Sequence, residues 1–465
     1  MRLPGPRTLA LAGSLLLVAA VVGYVFTGRA PRPTETPAPA TEPVPPPPRP
    51  FGFAGADVDT SSALAATVTW STTQPSTATV RWGPTGVRPL LWRRVTAPRT
   101  SHTLRLDALG IAKPYTVAIE ARSADGEVAQ TTLAFTSASA PATVTPTVDD
   151  GVVRVNGGAF FPFLTWQECP DRWQPEIDQG ITLFAGNPCT GIESLLGGLG
   201  GRALVAGTSD DAAPPAGAPL VGWFYPDEAD GRGLDAAALP APGPGLRFLT
   251  LTSHFWSAAA PLPQGREIYP GLLERADVVG FDLYPLQEYC RPDLIPGVFD
   301  AQRELAGLAA GKATFQWIEV RAMKCAGSGT TEITPATIRA ESWLAIAGGA
   351  HGLGFFPGDW GNEVGRTIAG IAARVDQLAP ALLRPALPVA ADTPTVRASA
   401  RELDGALYVI AVNTTAQRVH ATLSSELLGD RGLSVVGSSR TVVSTDATLT
   451  DSLPPLGVRI YVAAP

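Results

Sequence analysis

Between positions 220 and 231 the sequence reads LVGWFYPDEADG. A run suited to burial ends in two adjacent carboxylates, Asp227 and Glu228, which burial penalises. A third acid has a similar setting, because Glu319 closes the apolar run ATFQWIEV at 313–320. Carboxyl groups that face one another across a gap are the equipment for cleaving a glycosidic bond. One protonates the leaving oxygen while the other attacks the sugar carbon or activates water, with a gap of roughly 5 Å for retention and a larger one for inversion. Whether these acids can meet depends on the elements that carry them.

Eight short apolar runs cover 160–168, 181–187, 202–208, 220–228, 246–255, 276–285, 313–320 and 352–360. Near-continuous apolar runs suit parallel strands covered on both faces. Helical segments lie between them, such as 298–311 and 334–350; the second opens on Thr-Pro, a helix cap followed by proline in the first turn. The helix needed at 209–219 is weak. The span 147–383 is close to the ~250 residues of a (β/α)8 TIM barrel. An open doubly wound sheet is the alternative, but no GxGxxG follows the first run, which removes dinucleotide binding. In a barrel, chemistry stands at the C-terminal ends of the strands, and strands four and seven lie on opposite sides of a ring of eight. Aromatic residues collect at the same ends: Trp166, Tyr225, Phe255, Trp256, Tyr284, Tyr289, Trp317 and Trp360. Sugar rings stack on such planes, although some of these side chains must fill the core instead. Glu168, Asn187, His254, Asp282 and Asp359 are further polar candidates at the rim. Cys169 and Cys189 follow strands one and two, and Cys290 and Cys325 follow strands six and seven, so adjacent loops predict the disulfides Cys169–Cys189 and Cys290–Cys325.

The layout resembles a large clan of retaining (β/α)8 glycoside hydrolases. The segments that carry the resemblance are RVNGGAFFPFLTW, GWFYPDE, ADVVGFDLYP and ESWLAIAGGAHGLGFF. The resemblance implies Glu228 as acid/base, Glu319 as nucleophile and Tyr284 as a hydrogen-bond partner of the nucleophile. The clan has Asn before its acid/base Glu, whereas here the neighbour is Asp227. Substrate contacts are then expected from Asp227, Trp166, Tyr225, His254, Trp256, Asp282, Tyr284, Trp317 and Trp360.

The flanks alternate with period two, as antiparallel strands do. Strands are predicted at 63–71, 77–83, 102–106, 115–123 and 131–137, with Trp70 as a core anchor. The stretch LRLDALGIAKPYTVAIEA resembles fibronectin type III domains, in which the tyrosine, here Tyr115, sits at a corner before the next strand. The same segment is similar to the N-terminal domain of purple acid phosphatases. A metallophosphatase needs many His, Asp and Asn ligands, and a chain with 4 His and no clustered metal motif does not supply them. Alternation returns at 384–465 as a second β-sandwich, for which a structural role is expected.

The organisation is therefore a multidomain one: a signal anchor or cleaved signal at 1–30, a Pro-rich linker at 31–50, a fibronectin type III-like sandwich at 51–141, the barrel at 147–383 and the C-terminal sandwich at 384–465. The uncharged run 9–26 is just long enough to span a bilayer. Both readings of it place the folded domains outside the cytoplasm, tethered to the membrane or secreted, where four cysteines would be oxidised. A net charge of −7 and no basic cluster beyond Arg93-Arg94 argue against a nucleic-acid partner. The expected function is an exported, membrane-tethered glycoside hydrolase acting on a poly- or oligosaccharide, with no cofactor and no metal. The alternative is a non-catalytic carbohydrate-binding or cell-surface scaffold protein built on a degenerate barrel.

Overall fold

The structure is a computed structural model that describes residues 50–465 except 215, 242, 326–330 and 359. All described residues belong to one unit of the chain, Arg49–Pro465. The apolar run 9–26 and the linker lie outside the described residues, among which no helix is long and apolar enough to cross a membrane.

Eight parallel strands close into a barrel in chain order: Phe163–Trp166, Leu183–Ala185, Leu204–Thr208, Leu220–Phe224, Leu246–Thr252, Val278–Asp282, Ala313–Glu319 and Leu353–Phe356. They are called strands one to eight below. Each coincides with an apolar run of the sequence, trimmed at its ends. Strand eight pairs back on strand one, Leu353 opposite Phe163, which closes the ring. The interior is geared. Glycines on strands four, six and eight make room for rings on the next or previous strand: Gly222 for Phe248, Gly280 for Phe315 and Gly354 for Trp317. A Cβ added at Gly354 would sit 2.1 Å from the Trp317 ring.

Helices cover the outside: α1 (Pro170–Asp178), α2 (Ile192–Leu199), α3 (Tyr269–Arg275), α4 (Ile295–Leu308), α5 (Pro335–Gly348), α6 (Asn362–Asp376) and α7 (Ala379–Leu382). Helix α5 starts as its sequence predicts, with Thr334 capping the amide of Thr337 and proline next. No helix is described between strands three and four or between strands four and five. Those connections are rich in Pro, Gly and Asp (SDDAAPPAGAP and ADGRGLDAAALPAPGPG), which favour turns over helix. The weak helix of 209–219 is thus absent among the described residues, and the barrel departs from a full (β/α)8 count there.

Ahead of the barrel, Pro146–Asp149, Val152–Val155 and Gly158–Phe160 form a small antiparallel sheet. Its second turn is Asn156-Gly157, both at positive φ, as a tight hairpin requires. The N-terminal region is antiparallel: Phe53–Asp59, Ala66–Pro84, Leu91–Leu106, Pro114–Ser123 and Val128–Thr136. Here one 19-residue strand replaces the two expected at 63–71 and 77–83. Its register breaks between Ser71 and Ser76, around Pro75, so the chain bends while remaining paired. Trp70 is buried and stacks on His102 at 4.9 Å. The buried Tyr115 hydroxyl accepts the Gly110 amide at 2.8 Å, fixing the corner before the fourth strand.

The C-terminal region pairs a six-stranded sheet with a three-stranded one, both antiparallel. It is locked to the barrel by charge. Arg401, fully buried, donates to the Ile346 carbonyl near the end of α5 at 2.6 Å, and Arg397 forks onto Asp300 of α4 at 2.9 and 2.8 Å. Asp107 likewise binds the Ala159 amide at 2.8 Å and Arg154 at 3.1 Å, joining the N-terminal sheet to the barrel's entrance strands.

Both predicted disulfides form, Cys169–Cys189 and Cys290–Cys325, closing stretches of 20 and 35 residues. Each is expected to contribute about 3–4 kcal/mol in the chain-entropy picture. Replacing Cys290 and Cys325 together by Ser should lower unfolding free energy by about that amount in urea melts; a loss under 1 kcal/mol would contradict the assignment of a stabilising staple. Gly354→Ala should cost roughly 1–3 kcal/mol by overpacking against Trp317, read as a lower urea midpoint together with altered Trp emission.

Candidate active site at the C-terminal face of the barrel

Alternation along each strand decides which candidate residues reach the inside. On strand four Phe224 points inward, stacked on Phe248 at 4.7 Å. Its neighbour Tyr225 therefore points outward, and the buried hydroxyl donates to the Arg275 carbonyl at the end of α3. Tyr225 is a packing residue, not a wall of the cleft. On strand seven Phe315 and Trp317 take the inside, where the Trp317 ring meets Trp166 edge-on at 5.9 Å and its Nε1 donates to Thr250 at 3.2 Å. Trp166, at the end of strand one, keeps partial exposure. Tyr284, just past strand six, stacks on Phe356 at 6.0 Å. Trp166, Tyr284, Phe356 and Met323 cap the interior cluster and make the aromatic floor of the barrel mouth.

Beside this floor stand the acids. Asp227 and Glu228 follow strand four, and both are half-buried. Glu228 has φ +45°, a left-handed conformation that costs a non-glycine residue energy and is concentrated at functional sites. Across from them Asp282 ends strand six, where it accepts a hydrogen bond from the Tyr284 hydroxyl. The three acids act on one another. Burial, then the charge of Asp227, raises the Asp282 carboxyl well above the ordinary carboxylate range, with Glu228 and Asp230 adding to the push. Glu228 is raised by burial and by Asp227, Asp230 and Glu288. Asp227 is raised by burial, while the exposed Arg232 holds it down. Of the three, Asp282 is raised most and is the place where the cluster best holds a proton. Tyr284, in contact with that carboxyl, is itself held firmly protonated by burial and by Asp282.

Glu319 stands elsewhere. It is completely buried, and its two oxygens accept the amides of Leu286 and Gln287 at 2.8 and 2.7 Å. Its remaining neighbour is the buried Glu341 of α5, whose proton affinity is raised far more, so the proton rests on Glu341 and the charge on Glu319. Glu319, at the end of strand seven, is thus held by the loop after strand six, while Asp227, Glu228 and Asp282 act on one another. Glu319 instead fixes the loop that follows Tyr284. Gln287 extends the tie, accepting from the Met323 amide at 2.7 Å and donating to the Thr331 carbonyl at 2.6 Å.

The other rim candidates are mostly structural. His254 Nδ1 pairs with the Ala260 carbonyl at 2.7 Å, and the Trp256 ring lies against Gly297 of α4. Trp360 is buried, with Nε1 donating to the Pro357 carbonyl at 2.9 Å. Phe255 is buried against Phe281, and Tyr289 shares a hydrogen bond with Ser253 at 2.8 Å. The Asn187 side chain accepts from the amides of Cys189 and Thr190 and shapes its own loop. Asp359 lies outside the described residues.

Two residues matter that the sequence reading passed over. Asp230, fully buried, accepts from the Thr252 amide and hydroxyl at 2.8 and 2.6 Å and from the Tyr269 hydroxyl at 3.0 Å, which anchors the strand-four loop. Its signal was present as a third acid in PDEAD, within one turn of Asp227. Gln167, at positive φ after strand one, donates to Asp210 at 3.0 Å and ties the first loop to the third. Among the described residues no group of three His, Cys, Asp or Glu is arranged to hold a metal ion.

No family model matches the chain, and no curated protein matches it. Among solved structures it is similar to β-glucuronidase from Ruminococcus gnavus, with a TM-score of 0.34 and 10% identity over 70% of this chain and 68% of that one. The same enzyme in complex with uronic deoxynojirimycin gives the same values. A structure of AmyP in complex with maltotriose gives a TM-score of 0.41 at 10% identity, over 63% of this chain and 89% of that one. TM-scores this low carry nothing about the site, whose description rests on the distances above.

One buried acid near the site gives a pH signature. Glu176 of α1 is buried, and burial, followed by the charge of Glu168, raises its carboxyl to about 9 from an ordinary 4.5. The unfolded chain gives up that proton near 4.5 while the folded chain holds it, so stability is full below 4.5 and is lost progressively as pH rises towards 9. Glu176→Gln, which mimics the neutral acid, should melt higher than the parent at pH 8 and close to it at pH 4.5. A difference that does not grow between those two pH values would show that Glu176 ionises freely in the folded protein.

Proposed function

We propose that the barrel mouth hydrolyses O-glycosidic bonds of a poly- or oligosaccharide. The observation that carries the reading is the mutual crowding of Asp227, Glu228 and Asp282 beside an aromatic floor, with Asp282 held protonated. A carboxylic acid kept neutral by burial and by neighbouring carboxylates is suited to donate a proton to a leaving oxygen. An ionised partner on strand four then takes a proton from water as the hydroxyl adds to the sugar carbon, and the C–O bond to the leaving group breaks. Tyr284 donates to the Asp282 oxygen that does not carry the proton, which orients the acid. The fold-level likeness to glycoside hydrolases agrees with this reading but does not assign the residues.

The resemblance noted in the sequence implies the finer mechanism, retention through a Glu319 nucleophile. That route requires an oxygen of Glu319, which is buried and accepts one amide hydrogen bond on each oxygen, to become accessible to the sugar carbon. The same burial favours the second reading, a carbohydrate-binding barrel without turnover. The flanking regions fit support roles. Tyr115, bonded to the amide five residues earlier, supports the fibronectin type III-like reading of the first domain. The apolar run at 9–26 and the disulfides at the rim support export to an oxidising compartment, with a membrane tether or a cleaved signal as its two forms.

A reducing-sugar screen over a glycan panel, run on the protein and on Asp282→Asn, Asp227→Asn, Glu228→Gln and Glu319→Gln, tests the assignment. Asp282→Asn and one of the strand-four variants should lose about 10²–10⁴-fold in kcat, the scale of a missing acid or base. Full activity in Asp282→Asn with loss in Glu319→Gln would restore the strand-seven acid, and glycan binding without release of reducing ends would establish the second reading. Activity should fall on the acid side as Asp227 and Glu228 protonate, at a pH above that of ordinary carboxylates because burial raises both. On the alkaline side it should fall as Asp282 ionises, well above the usual carboxylate range.

A further inference from the structure

A second concave region lies far from the acids, where α5 and α6 meet the C-terminal six-stranded sheet. It is a groove of about 530 Å³. Its charge is the reverse of the chain's, which is −7 overall. Arg339 comes from α5, and Arg366 and Arg374 come from α6. A smaller hollow of about 340 Å³ continues it past Arg374 and Val436 and adds Arg88. Glu363 is the only acid among the described residues that line either hollow.

The spacing is regular. Residues 366, 370 and 374 follow one another at intervals of four and so share one face of α6. Gly370, in the middle, leaves open space: a Cβ there would meet nothing within 4 Å. Arg366 and Arg374 are thus about 12 Å apart along the helix. None of the arginines 88, 339, 366 and 374 has an ion-pair partner among the described residues. Arg374 is half-buried, has one side-chain bond, to Gln377 at 2.5 Å, and is depressed by burial with no carboxylate to counter it. A half-buried guanidinium whose only side-chain partner is a neutral amide gains from an anion brought beside it. Between the charges the wall is apolar, made by Trp343, Val436 and Ile460.

We propose that this groove binds a segment of an acidic polysaccharide, a linear chain whose charges are carboxylates. Guanidinium groups match planar carboxylates with two parallel hydrogen bonds. Charges about 12 Å apart along one helix exceed the reach of a single small anion and fit a polymer that presents anions at intervals. The apolar wall suits the C–H faces of sugar rings, which a polyphosphate lacks. The groove stands on its own residues, whether or not the barrel mouth cleaves.

Isothermal titration of the full chain with a six-residue oligogalacturonate tests this, alongside galacturonate monomer, a neutral cello-oligosaccharide of equal length and inorganic polyphosphate. The oligogalacturonate should bind at least tenfold more tightly than the monomer and the neutral chain, and binding should weaken as salt rises. Arg339→Gln combined with Arg366→Gln should weaken it tenfold or more. Gly370→Glu should do the same: it places a carboxylate between the arginines at an open site, in a helix where Glu is a better former than Gly. Asp282→Asn should leave it unchanged, which separates this site from the barrel mouth. The proposal is overturned by absent binding, by equal binding of the neutral chain, by tighter binding of polyphosphate, or by indifference to Gly370→Glu.

Discussion

Alternation of side chains along a strand is the constraint on which this molecule depends. In a closed ring every strand residue must face the interior or the helices, and a shift of one place exchanges the two sets. The interior set is filled by rings on some strands and glycine on others, so that Phe248, Phe315 and Trp317 each occupy space vacated by Gly222, Gly280 and Gly354. Once that gearing is fixed, residues such as Tyr225 and Trp166 inherit their directions, whereas Glu319 shares the parity of Phe315 and Trp317 and is turned to the Leu286 and Gln287 amides at the strand's end. Tyr225 must serve the outside because Phe224 serves the inside, and Trp166 must close the top of the core because Trp317 lies beneath it.

The acids at the mouth are a consequence of the same packing. Burial raises the Asp282 carboxyl most, and the charges of Asp227 and Glu228 add to the rise. Either effect alone would favour the neutral form; together they make it dominant. Nearby acids that find donors behave differently. Asp230 receives three hydrogen bonds and becomes an anchor, and Glu319 receives two backbone amides and secures the loop after Tyr284. How many donors reach a carboxyl here decides whether it serves as a charged anchor or is pushed towards its neutral form.

This distinction also explains what was legible in the sequence. The eight strands were readable because buried parallel strands require unbroken apolar runs, and the disulfides followed once the runs were arranged in a ring. The half-buried pair Asp227 and Glu228 announced itself by following such a run. What could not be read was the partner of each polar group. Glu319 ends its strand as Asp282 does, and nothing local distinguishes them. The amides that capture Glu319 lie more than thirty residues upstream, in a loop whose path depends on the fold. The single bent strand Ala66–Pro84 was read as two for a related reason, since Pro75 interrupts the pattern while distant partners maintain the pairing. That no helix is described after strands three and four fits their composition, because Pro and Gly crowd both connections.

The covalent ties around the rim are unevenly placed. One joins the loops of strands one and two, and the other joins those of strands six and seven, where Lys324 and Glu288 add an ion pair at 2.6 Å. Among the described residues, the arc above strands three, four and five has no cross-link, and no helix follows strands three and four. That arc is held by hydrogen bonds alone, Gln167 to Asp210 and Asp230 to Thr252 and Tyr269, so added length in those loops would break no covalent tie.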